Sequence, residues 1–452
     1  MTDGAKGREP RILGRPDHTI SRSNIDDNAL KVLHRLHRAR RLGYMVGGAV
    51  RDLLLDRKPK DYDIATDARP PEVRRLFRNS RIIGRRFRLA HVYFKEGIVE
   101  VATFRRDPDP GAQQGADGEL LITDDNVFGT PEEDAFRRDF TVNALFYNIA
   151  DYSVIDYVDG IDDLRARRIR AIGDPHVRFQ EDPVRMTRAC ELAGRLGFTI
   201  ERETQRAIVE QRHEIRKAST ARLTEELLQI LRSGKAGDTL QWMLDLGLVE
   251  VFLPEAMAIL EAEREGLGKW GEALTVLDRK AAEGKSLPDT AVMGCLLLPA
   301  ILRARHLAER GRGGAIPADQ LRAVVDDVVA PFYLRVGLSK VKAEQTALAV
   351  LALDRMERRG DWTQGERMRL GNRPYFADSL LYFELLTRAA GLDPQALQPW
   401  REVEKRHSHL DRGPGSARGA GPARTGSPEP AARPRRRRRP RRRGGRGGRR
   451  TE

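Results

Sequence analysis

The apolar residues of this chain change their period near Gly173-Asp174-Pro175, and no other feature constrains the fold as strongly. Before that point, short runs and turns alternate: Tyr44 to Val46 as a strand, Gly47-Gly48, a helix over Ala49 to Leu55, a turn at Lys58-Pro59, and a strand across Asp61 to Ala65. His91 to Phe94 and Ile98 to Phe104 add two strands joined at Glu96-Gly97, and Ile25 to Arg41 has a helical stripe behind the acidic start Asp26-Asp27. After that point helical spacing takes over. Leu223, Leu227, Ile230 and Leu231 stripe one helix that stops at Ser233-Gly234, and Leu240, Met243 and Leu244 stripe another that ends near Gly247. Two periods imply two kinds of layer, an α/β head followed by an all-α neck and body.

A chain of 452 residues exceeds one hydrophobic core. The expected division is an N-terminal arm (1–24), the head (25–172), a neck (173–232), a body (233–411) and a tail (412–452). Residues 107–130, rich in Asp, Gly, Pro and Gln, read as a flexible loop beside the site. The tail loses its apolar residues and cannot offset its chain entropy, so disorder is expected there until it meets a polyanion. Its last twenty residues hold twelve arginines and one glutamate, which is eleven of the fifteen net positive charges. Arg435, Arg436, Arg437, Arg438, Arg439, Arg441, Arg442 and Arg443 are the expected contacts to an RNA backbone. Cys190 and Cys295 lie far apart without a CxxC pair, which argues against a disulfide framework or a structural zinc site. No run of about 18 uncharged apolar residues appears, so no membrane segment is expected and a cytoplasmic location is the default.

Asp61 and Asp63 are one residue apart in a strand, where alternation sends both carboxylates to one face. Mg²⁺ takes oxygen ligands and commonly combines one or two carboxylates with substrate phosphates. Alone, the pair would more often be solvated turn carboxylates beside Lys58 and Lys60. Gly47 and Gly48 change that balance, because a strand-to-helix turn there exposes backbone N–H groups to a triphosphate and Arg51 adds a fork of donors one turn later. A third carboxylate would complete a two-metal site, and Glu100 is the candidate, with Val99 and Val101 pointing the other way.

Four segments in order, G-G-A-V-R-D (47–52), K-D-Y-D-I-A-T (60–66), R-R-D-F-T-V-N-A-L (137–145) and E-D-P-V-R-M (181–186), resemble the class II nucleotidyltransferases. That family comprises tRNA CCA-adding enzymes and bacterial poly(A) polymerases. The resemblance covers about Ile20 to Phe198 and implies a polymerase-β-like α/β head with a mixed sheet, followed by helical neck and body. It also implies that Arg138 contacts the triphosphate and that Asp139 senses the ribose 2′ hydroxyl. Asp182 and Arg185 match the base-reading pair, with Arg188 one turn further on the same helix. Asp182 also suits an N-cap before Pro183. An acceptor beside a donor fits adenine or cytosine and leaves groups unpaired against guanine or uracil, so protein side chains rather than a template choose the base.

Those motifs do not separate adenine addition from CCA addition. The segment I-G-R-R-F-R-L-A-H-V (83–92) resembles a signature of the bacterial poly(A) polymerases, and Arg85, Arg86, Phe87 and Arg88 suit phosphate and stacking contacts to RNA. His91 in that segment reads as a hydrogen-bonded strand histidine. One departure stands at Glu191, where the family helix usually carries another arginine; six residues past Arg185 it is expected on another face, with Arg195 a turn later as a substitute. The expectation is a monomeric, template-independent adenylyltransferase that uses ATP and Mg²⁺ on RNA 3′ ends. The alternatives are a tRNA CCA-adding enzyme and a non-catalytic RNA-binding protein on the same scaffold.

Overall fold

The computed structural model describes residues 9–84, 88–106, 127–257, 268–358, 360–389 and 392–410. Arg85, Arg86, Phe87, the segment 107–126 and the arginine tail lie outside the described residues.

An eight-stranded sheet organises the head: β1 (Arg11–Leu13), β2 (Gly43–Val46), β3 (Asp63–Thr66), β4 (Ser80–Ile83), β5 (Leu89–Phe94), β6 (Gly97–Thr103), β7 (Leu145–Asn148) and β8 (Ser153–Asp156). The order across it is β1-β8-β7-β2-β3-β6-β5-β4. Among the described residues of this sheet only β3 and β6 pair in parallel, so the sheet is mixed, as the resemblance implies. β1 lies within residues 1–24, the N-terminal arm in which no periodicity marks a strand. Its three residues instead pair with β8 and close that edge of the sheet.

Alternation assigns the two faces. Met45, Ile64, Val101, Tyr147 and Val154 join the main core, against which α1 (Asp27–Arg38) lays Ala29, Val32, Leu33 and Leu36. The Asp26 carboxylate caps α1, accepting from the amides of Asn28 at 2.8 Å and Ala29 at 3.2 Å. Tyr44, Val46, Ala65, Phe104 and Phe146 form a smaller cluster on the opposite face. Asp63 shares the parity of Ala65 and therefore points to that second face. Strand β3 begins at Asp63, so Asp61 precedes the strand rather than lying within it.

The neck and the start of the body comprise α6 (Pro175–Glu181), α7 (Val184–Leu196), α8 (Arg202–Gln211), α9 (Thr220–Arg232), α10 (Ala236–Asp245) and α11 (Leu248–Phe252). The glycines at 234 and 247 follow α9 and α10 with φ of +77° and +71°, as the stop signals predicted. Further helices, including Gly268–Ala282, Asp289–Arg312, Ala318–Arg335, Lys340–Arg358 and Phe376–Ala389, build the body. Asp289–Arg312 is long and apolar enough to cross a membrane by length and composition, but its apolar first half, with Cys295, is buried among its neighbours. Gly294 lets Tyr382 approach closely: an added Cβ would sit 1.7 Å from the hydroxyl that donates to the Thr290 carbonyl at 2.7 Å. Apolar side chains run continuously from head through neck to body.

Candidate active site

Asp63 on β3 lies beside Glu100 on β6 in parallel register, and Glu100 lies opposite His91 on β5. The three form one row across the open face. His91 Nε2 is 3.1 Å from Glu100 Oε1, which supplies the partner that a strand histidine needs. Asp63 is solvent-exposed, yet surrounding protein together with the charges of Glu100 and Asp61 pushes its carboxyl up to about 6, opposed by Arg138. Asp61 and Asp63 offer carboxylate oxygens of the kind a divalent cation takes. Among the described residues, no group of three or more His, Cys, Asp or Glu side chains is gathered as a metal cluster, so Glu100 stands beside the acidic pair without converging on it.

Gly47 ends β2 with φ +69° and ψ −132°, and its carbonyl starts α2 (Gly48–Leu54) by accepting from the Arg51 amide at 3.2 Å. A Cβ at Gly47 would lie 3.2 Å from Nη1 of Arg138, so a bare backbone is required beside that guanidinium. Arg51 does form the pair with Asp52 that its sequence neighbourhood suggests, with 2.8 Å from Nε to Oδ1, but the pair is buried rather than on the surface. Its Nη1 also donates to the Asn143 side chain. Arg138 is bound at Asp134 Oδ2 through Nε at 3.1 Å and Nη2 at 2.9 Å, donates to the Asn143 carbonyl at 3.2 Å, and lies over the Phe146 ring. Its partner is thus Asp134 of α4 (Pro131–Phe136), not the adjacent Asp139.

Asp139 accepts from the Phe140 amide at 2.8 Å and the Asn143 amide group at 3.1 Å, and its other oxygen is 3.5 Å from Arg188. Arg188 also reaches Glu226 on α9 at 3.2 Å. Asp182 lies between α6 and α7, and its carboxylate does not cap α7. Both its oxygens accept from Arg222 of α9 at 2.9 Å, and Arg222 holds the carboxyl below its ordinary range against the effect of burial. Arg185 is buried and donates to the carbonyls of Arg178 at 3.2 Å and Arg137 at 3.4 Å and to Glu181 at 3.4 Å. Burial and the nearby Arg178 lower the pKa of Arg185. The structure thus brings Asp139, Asp182, Arg185 and Arg188 into one seam.

A cavity of about 770 Å³ opens beside the acidic pair, lined by Gly48, Arg51, Asp61 and Asp63 from the head and by α7 and α9 from the neck. Glu191 and Arg195 are on its wall, so Glu191 does not turn away from the site as its spacing from Arg185 suggested. Relative to Arg188, it is three residues on and shares that face. Arg88, the described member of the basic segment, is exposed, and its carbonyl accepts from Arg105 at 3.1 Å.

Asp134, Asn143, Arg178, Arg222 and Glu226 were not apparent from sequence. Asn143 lies inside the third motif and was the one within reach. Arg178 and Arg222 meet partners some forty residues away, where no spacing rule applies.

A mixed sheet with an acidic row beside a glycine turn, followed by a helical neck, defines a nucleotidyltransferase head on a helical body. Residues 43–170 match the family model of the poly A polymerase head domain, and residues 197–260 match that of the probable RNA and SrmB- binding site of polymerase A. Poly(A) polymerase I of Salmonella typhi is 48% identical over 249 residues, 54% of this chain and 53% of that protein. The CCA-adding enzyme of Bacillus velezensis is 36% identical over 222 residues, 49% of this chain and 54% of that protein. The chain thus spans about half the length of the curated relatives it matches. Among solved structures, the CCA-adding enzyme of Bacillus stearothermophilus in complex with CTP superposes with a TM-score of 0.61 at 25% identity, covering 84% of this chain and 82% of that one.

Proposed function

We propose that this protein is a template-independent polynucleotide adenylyltransferase that transfers AMP from ATP to RNA 3′ ends. The observation that carries the reading is the row of Asp63 and Glu100 on adjacent strands beside the Gly47 turn, which sets acidic ligands next to a place where backbone can approach phosphates. The similarity to several bacterial poly(A) polymerases, at higher identity than to CCA-adding enzymes, supports adenine as the product.

In this reading Asp61 and Asp63 would hold Mg²⁺, which supplies charge neutralisation at the triphosphate and lowers the pKa of the attacking hydroxyl. Glu100 would be the third carboxylate beside that pair, with His91 Nε2 3.1 Å from its Oε1. Gly47, Gly48 and Arg138 would bind the triphosphate, Arg138 being oriented by the Asp134 carboxylate, while Arg51 lines the same cavity with its guanidinium held by Asp52 and Asn143. Asp139 accepts from the ribose 2′ hydroxyl, and Arg188 fixes Asp139. Asp182 accepts from the exocyclic amine of the base, while Arg185 donates to the ring nitrogen beside it. Arg85, Arg86, Phe87 and Arg88, with the tail arginines, hold the primer.

Primer extension tests this. ATP or CTP with Mg²⁺ is offered to oligo(A) and to tRNA lacking its CCA end. Long adenine tracts are the expected result. Arrest after CCA would assign the protein to tRNA repair, and no incorporation would make it an RNA-binding scaffold.

A further inference from the structure

The cavity between head and neck contains one arginine whose outer nitrogens are uncommitted. Arg51 is used by Asp52 and Asn143, and Arg232 donates to the Leu287 carbonyl at 2.8 Å and to Asp289 at 2.6 Å. Lys60 is an exposed point charge on a flexible stem. Arg195 differs from all three. Its Nε donates to Glu191 Oε1 at 2.6 Å, and among the described residues neither Nη1 nor Nη2 has a protein acceptor. The side chain is 31% exposed, whereas Glu191 is 7% exposed.

The backbone that carries this guanidinium is fixed from two sides. Arg57, three residues past the end of α2, donates to the carbonyls of Arg195 and Leu196, both at 3.3 Å. On the other side, Gly194 packs so closely on α10 that an added Cβ would come within 2.6 Å of the Thr239 amide. Glu191 then fixes the side chain. It engages Nε alone, which leaves the paired outer nitrogens as a fork whose geometry matches two oxygens of one phosphate. A buried carboxylate at that position would be costly without such a partner.

We propose that Arg195 binds phosphate oxygens in this cavity and that Glu191 is the positioning residue that aims it. The inference rests on the adenylyltransferase reading of the same site. Two sources of phosphate reach the acidic pair, the triphosphate of the incoming nucleotide and the backbone of the primer.

The test uses the full chain and measures KM for ATP and for oligo(A) separately, together with dissociation constants without turnover. Arg195→Ala is expected to weaken one of them about tenfold or more, the worth of a charge-assisted pair. A rise confined to ATP assigns the triphosphate. A rise confined to oligo(A), with a salt slope shallower by about one, assigns the backbone. Arg195→Lys keeps the charge without the fork and is expected to fall between. Glu191→Ala is expected to move the same parameter as Arg195→Ala and to add nothing to it in the double variant, while Glu191→Gln, which keeps an acceptor for Nε, retains most of the binding. The proposal is overturned if Arg195→Ala leaves both affinities within twofold of wild type, or if Glu191→Ala adds its full effect to the Arg195→Ala background. If the wild-type chain binds ATP and oligo(A) but incorporates nothing, the adenylyltransferase reading fails. The role of Arg195 is then decided by the dissociation constants alone.

Discussion

Arg222 grips both carboxylate oxygens of Asp182 at 2.9 Å, from a helix forty residues further along the chain. The pair joins α9 to the loop that starts α7 and keeps Asp182 ionised, so that it accepts hydrogen bonds and does not donate them. Arg222→Ala is therefore expected to lower kcat/KM for ATP and to reduce the preference for ATP over GTP by about tenfold, since a freed Asp182 rotates or protonates. Arg222→Lys should restore charge but not the bidentate hold. Unchanged selectivity in Arg222→Ala would refute the link between α9 and base choice.

The double variant Asp61→Ala plus Asp63→Ala is expected to lose all incorporation and to keep RNA binding. The check is primer extension beside a gel-shift titration. Activity that persists would remove the metal from Asp61 and Asp63.

Gly47→Ala places a methyl group 3.2 Å from Nη1 of Arg138 on a backbone with φ +69°. With ψ at −132° this is the mirror-image β region that glycine alone enters readily, where an L side chain costs about 1–3 kcal/mol, and the guanidinium must also shift. The expected result is a lower thermal midpoint together with a raised KM for ATP. A change in the midpoint alone would mean that Arg138 does not bind nucleotide.

In the body, Asp378 is buried, and burial pushes its carboxyl up. A carboxyl whose folded value is raised favours folding fully below its unfolded value, near 3.9. That contribution is lost as pH rises through the folded value, because the unfolded chain then releases the proton more readily. Asp378→Asn removes this loss and is expected to stabilise the protein at pH 8 by about 1–3 kcal/mol, with a smaller effect at pH 5. Thermal melts at the two pH values measure it, and equal shifts would contradict the assignment.

Deletion of residues 412–452 is expected to weaken RNA binding and shorten products, while leaving ATP affinity unchanged. Arginines that neutralise phosphates release counterions, so the effect of the deletion is expected to be largest at low salt. An equal loss of ATP and RNA affinity would show that the tail does more than hold RNA.

Much of the fold was legible because it rests on local rules. The period change near residue 173, the Asp26 cap and the glycine stops after α9 and α10 are all written within a few residues. Strand parity likewise separated Asp63 and Glu100 from their apolar neighbours. What escaped depends on partners distant in sequence. β1 is three residues long and acquires its meaning from β8, whose strand lies more than a hundred residues later. Asp182 looked like a cap because its neighbour is Pro183, but Arg222 competes for the same oxygens with a full charge. The six-residue spacing of Glu191 from Arg185 turns it to another face, but its three-residue spacing from Arg188 brings it to the cavity wall.

Arg178 of α6 donates to the carbonyls of Phe136 and Arg138 at 3.2 and 3.1 Å, and Arg185 of α7 donates to that of Arg137. The backbone around Arg138 is thereby built partly by the neck. The head is consequently not a detachable cassette. A chimera that exchanged necks between relatives would have to carry residues 134–143 with the transplanted helices, or the loop around Arg138 would lose the donors that hold its carbonyls.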